Sequence, residues 1–153
     1  MKKESVAKLI HDFPLLYSEK YRPGYVGDGW FPLLYKSSQQ ITRVITILGL
    51  TADNIPRIDH WELSNGALFI SADWGDAAID NENYWLSQVP QFIDEICRKT
   101  EQESLTVCRS CGKNGQMITM GDWNLVFCHA CESDFRTMFK DWGPEDDEHD
   151  DVR

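Results

Sequence analysis

Cys108-x2-Cys111, sixteen intervening residues and then Cys128-x2-Cys131 take four of the chain's five cysteines in two matched pairs. Nothing else in the sequence constrains the fold as much. Two residues between cysteines let one tight turn aim both sulfurs at a single point, and two such turns make a closed tetrahedral donor set. The odd cysteine total argues against a disulfide framework, and MKKESVAKLIHDF contains no apolar run of signal-peptide length. The chain is therefore expected in the cytoplasm with reduced thiols. Its expected cofactor is Zn2+, held by Cys108, Cys111, Cys128 and Cys131. Four thiolates leave no open coordination position, so the metal is expected to be structural. A redox role would need one Cys-x-x-Cys pair where the chain has two. His129, inside the second pair, is superfluous to four sulfurs.

Between the pairs, Gln116–Met120 and Asn124–Cys128 read as strands separated by Gly121-Asp122-Trp123, a hairpin whose ends carry the half-sites. The segment 104–140 thus resembles a zinc ribbon. That resemblance implies a fold and not an activity, because ribbons serve transcription factors, ribosomal proteins, nucleases and protein-binding adaptors alike.

Upstream, residues 1–103 read as an α+β domain, with helices packed on a small antiparallel sheet. Val6, Leu9 and Ile10 predict a short helix over residues 4–10. A longer helix is expected from Gly29–Phe31 to about Leu48, with Trp30, Leu33, Leu34, Ile41 and Ile45 on one face and Pro32 in its first turn. RIDHWEL and ALFISAD flank Ser64-Asn65-Gly66 and predict a hairpin. From Asp80 or Asn81, a helical region is expected to carry Trp85, Val89, Phe92, Ile93 and Ile96 on one face. Pro90 either kinks it or starts a second helix. Cys97 reads as a buried structural thiol. The tail from residue 141 to 153 has seven acids against one base and is expected to be disordered.

GDGWFPLLY, with the earlier FPLLY at Phe13–Tyr17, resembles a stretch of small bacterial and phage proteins, some of which carry a C-terminal cysteine quartet. The resemblance brings no known chemistry. From the residues alone, Asp28 and Trp30 read as a helix N-cap and a core anchor, with a binding site as the alternative.

Charge then narrows function. The net charge is -10, and the segment 104–140 sets four bases (Arg109, Lys113, Arg136, Lys140) against three acids. A tetrathiolate zinc centre would add about -2 more. A duplex binder gathers cations on one face, and this pattern does not. His60 and Glu62 share a strand face, yet no nucleophile motif or phosphate loop accompanies them, so no enzyme is expected. Trp30, Trp61 and Trp85 suit the core. Trp74, Trp123 and Trp142 lie in turn-like or tail settings, where exposed rings can anchor a partner. Trp74, Asp76, Asp122 and Trp123 are the expected contact residues for a basic protein, with no membrane involved. The composition is similar in character to immunity proteins that neutralise toxins and to phage-encoded inhibitors. The alternative reading is a nucleic-acid-associated regulator that works through the ribbon.

Overall fold

The computed structural model describes residues 1–17, 26–51, 55–73 and 87–140. The acidic tail, Trp74, Asp76, Trp85 and Trp142 lie outside the described residues. Among those described, four α-helices and two antiparallel hairpins give an α+β fold. The elements are α1 (Lys3–Asp12), α2 (Phe31–Ile47), β1 (Arg57–Ser64), β2 (Ala67–Asp73), α3 (Val89–Ser104), β3 (Gln116–Met120), β4 (Trp123–Phe127) and α4 (His129–Lys140). No described helix is long and apolar enough to cross a membrane.

The α2 stripe folds as its spacing dictates. Leu33, Leu34, Ile41 and Ile45 are buried, and Val44 and Leu48 flank the same core. A single 3-10 turn, Asp28–Trp30, leads into α2, and Pro32 occupies the helix's first turn, where no N–H is needed. Asp28 does not cap α2. Its carboxylate accepts instead from the Lys2 amide, while the Met1 amino group donates to the Val26 carbonyl, so this loop pins the start of α1.

β1 and β2 pair from Arg57↔Asp73 to Ser64↔Ala67, with a bulge between Ile58 and His60. That register leaves Asn65-Gly66 as a two-residue turn. Both residues have positive φ, 48° and 86°, as a type I′ turn demands. Trp61 and Leu68 are fully buried. α3 starts at Val89 with Pro90 in its first turn, so of the two expectations for this proline the helix start is realised. Phe92 departs from the expected buried face and is half exposed, whereas Val89, Ile93 and Cys97 are buried.

α3 packs on both α2 and β2. Its last residue ties it to the sheet: buried Ser104 Oγ accepts from the Leu68 amide at 2.8 Å and donates to the Glu101 carbonyl at 2.6 Å. The main core includes Leu9, Trp30, Leu34, Trp61 and Ile93 and continues to Val107 and Val126 in the cysteine segment.

Candidate metal centre

The first cysteine pair sits on a knuckle built from backbone hydrogen bonds. Gly112 N–H donates to the Cys108 carbonyl at 2.9 Å, and Cys108 N–H donates to the Lys113 carbonyl at 2.7 Å. Gly112 has φ of 75°, which lets the chain reverse directly after Cys111. Thr106 then accepts from Gly115 N–H at 2.8 Å, and this fixes the entry to β3.

The second pair lies at the start of α4. Cys128 immediately precedes the helix, its carbonyl accepts from Glu132 N–H at 2.9 Å, and Cys131 lies in the first turn. Two thiols at a helix N-terminus meet unpaired amides and the positive end of the dipole, which favour thiolates. The Cys131 amide, bonded to the Cys128 sulfur, lowers the Cys128 thiol to about 7. Cys131 moves the other way, first through desolvation and then through its neighbouring sulfurs.

All four sulfurs lie within 4.8 Å of one another, and Cys111 Sγ to Cys128 Sγ is 3.6 Å. A disulfide would require about 2.05 Å. A tetrahedron with metal–sulfur bonds of about 2.3 Å has edges of about 3.8 Å, so the quartet matches a tetrathiolate metal site. Cys108 is buried, Cys128 and Cys131 are partly buried and Cys111 is exposed. His129 is exposed and stands outside the cluster. The four cysteines named from spacing are therefore brought together, and they can hold a metal ion.

The hairpin between the pairs departs from the sequence expectation at both ends of its second strand, which runs Trp123–Phe127 and leaves Cys128 outside it. Met120 pairs with Trp123, so the turn is Gly121-Asp122 alone and Trp123 opens β4. Gly121 has φ of 57°, and a glycine at the first central position is the signature of a type II′ turn. On one hairpin face Leu125 and Phe127 pack with Phe135 of α4, the Phe127 and Phe135 rings being 5.0 Å apart. On the other, Val126 joins the main core. Trp123, at the tip beside exposed Asp122, is 61% exposed.

Sequence reasoning missed two features of the site. One is α4, whose signal was present in Phe135, Met138 and Phe139 at helical spacing and in the Glu132–Arg136 pair, 2.8 Å apart. The other is the fate of Arg109. It is only 6% exposed, with its guanidinium 5.9 Å from the centre of the Trp30 ring. A base counted for the surface is inside the protein.

The other sequence candidates remain apart from this centre. His60 Nε2 lies 3.0 Å from Glu62 Oε2 on the same strand face, both side chains nearly half exposed. Buried Cys97 has its thiol pushed up to about 11, first by desolvation and then by Asp94. That is the state of an inert core cysteine.

Compared with family models, curated proteins and solved structures, the chain matches none of them, so the GDGW likeness gains no support there.

Proposed function

We propose that this chain is a small acidic zinc protein that binds a basic protein partner and inhibits it, in the manner of an immunity protein or a phage-type inhibitor. The observation that carries the reading is Trp123, a 61% exposed indole at a hairpin tip beside Asp122, on a chain of charge -10. A large ring held out by a β-turn loses little entropy on docking, and surrounding acids favour encounter with a cationic surface. Trp74 and Asp76 belong to the same proposal from sequence.

Zinc suits the donor set. Four soft thiol donors within 4.8 Å of one another favour it over hard cations, and the shell they would fill makes its role the folding of the hairpin that presents Trp123. Cys108, Cys111, Cys128 and Cys131 would hold it. No catalytic role is assigned, because four thiolates would complete the shell and the His60–Glu62 pair stands on an open strand face.

The proposal is tested by capture on tagged protein followed by assay of the captured partner. A single basic protein should be retained by wild type and released by Trp123→Ala, and its activity should fall on adding wild type. Retention of duplex DNA in its place, with no protein bound, would transfer the reading to a nucleic-acid regulator.

A further inference from the structure

The metal knuckle does not stand free. Gly29 N–H donates to the Arg109 carbonyl at 2.8 Å, and Trp30 Nε1–H donates to the Val107 carbonyl at 2.8 Å. Both acceptors flank Cys108, the fully buried ligand. The approach is backbone to backbone. A Cβ on Gly27 would come within 2.0 Å of the Arg109 carbonyl oxygen, and one on Gly29 within 2.1 Å of the Cys108 oxygen and 2.5 Å of the Gly112 nitrogen. No rotamer change relieves such overlaps, since the obstructing atoms are main chain. From the knuckle side, Arg109 N–H donates to the Val126 carbonyl at 3.0 Å, so the same residue is clamped between the GDGW loop and β4.

We propose that Gly27, Gly29 and Trp30 are positioning residues of the metal centre. Their loop is the seat that holds the Cys108–Gly112 turn in its ligating conformation, from about eighty residues away in sequence. The inference rests on metal occupying the four sulfurs, and it goes beyond that reading by making the start of α2 part of the site. Linkage requires reciprocity: if the seat raises metal affinity by some factor, metal raises the stability of the seat by the same factor. Outer-shell partners of a metal ligand are typically worth about 10- to 100-fold in affinity. The sign is set by geometry, because a free knuckle must give up conformational freedom that the seat has already removed.

Zinc affinity, measured by competition with a chromophoric chelator, tests this in the full chain. Trp30→Phe removes one donor without adding bulk, and Gly29→Ala blocks the seat. Both should still bind zinc at saturation but about 10-fold or more weakly. Ile45→Ala, about 21 Å along α2 from Phe31, removes core packing far from the loop and should leave affinity unchanged. Wild-type hydrogen exchange covers the case in which Gly29→Ala fails to fold. Stripping zinc should deprotect the Gly29 amide while the interior of α3 stays protected. Wild type that binds no zinc would overturn both this inference and the zinc assignment. Wild type that binds zinc, with Trp30→Phe affinity unchanged and Gly29 protection independent of metal, would overturn the seat alone.

Discussion

Cys111 is the exposed member of the quartet and Cys108 the buried one, so Cys108→Ser adds a packing cost to the loss of a ligand. Cys111→Ser replaces a soft ligand at the surface and should lower zinc affinity, whereas Cys108→Ser also places a hydroxyl in a packed, desolvated position. Structural zinc contributes about 10–16 kcal/mol of apparent binding free energy in small peptides, so either change should unfold the cysteine hairpin. Metal analysis of wild type purified without chelator should give one zinc per chain, and the variants less than about half of that. Elsewhere, Leu34→Ala should cost about 2–5 kcal/mol in denaturant unfolding, as a fully buried leucine in close packing does. At this scale the clustering of the four cysteines was legible, because thiol spacing is itself the chemistry. The role of Asp28 was not. An aspartate before a helix reads as its cap, and only the fold brings the Lys2 amide to the same carboxylate.

Among the elements, α1 and α2 share the main core through Leu9 and Leu34 and are also joined by a hydrogen-bonded carboxylate. Asp12 accepts from Lys8 Nζ at 2.7 Å, from His11 Nδ1 at 2.9 Å and from the Tyr35 hydroxyl at 2.8 Å. The Lys8 hydrogen bond is the largest cause of a carboxyl pKa far below the usual range, followed by those from His11 and Tyr35. The folded pKa is depressed, so its stabilisation is present above the unfolded aspartate value of about 3.9 and is lost as pH falls toward the folded value. Asp12→Asn should therefore lower the urea midpoint at neutral pH, and the gap between variant and wild type should close progressively below about pH 4. A gap independent of pH would mean that Asp12 acts through packing alone. Element identity was legible wherever apolar spacing and turn residues agreed, as in α2 and the Asn65-Gly66 hairpin. α4 escaped because metal-ligand spacing dominated its sequence, and half of its apolar face, including Met138 and Phe139, remains exposed and so marks no core.

At the scale of the whole molecule, charge is better resolved by structure than by counting. The four bases of the segment 104–140 suggested a near balance with its acids, but Arg109 is buried and Arg136 is bonded to Glu132 at 2.8 Å. Lys113 remains exposed among them, and a zinc tetrathiolate would add about -2 nearby. Duplex affinity depends on cations that displace condensed counterions, each contributing nearly one unit to the salt slope. With Arg109 removed from the surface cations, no retardation of a short duplex is expected at physiological salt with micromolar protein. Association with a basic partner should behave oppositely. Raising salt to about 0.15 M shortens the Debye length to about 8 Å and should slow association while changing dissociation little. Trp123→Ala should instead speed dissociation, by about 2 kcal/mol if the ring is an anchor, and leave the salt dependence of association intact. Stopped-flow association and surface-bound dissociation separate the two effects. Salt acting mainly on dissociation would refute the steering role of the acids, and unchanged dissociation in Trp123→Ala would move the contact away from the hairpin tip.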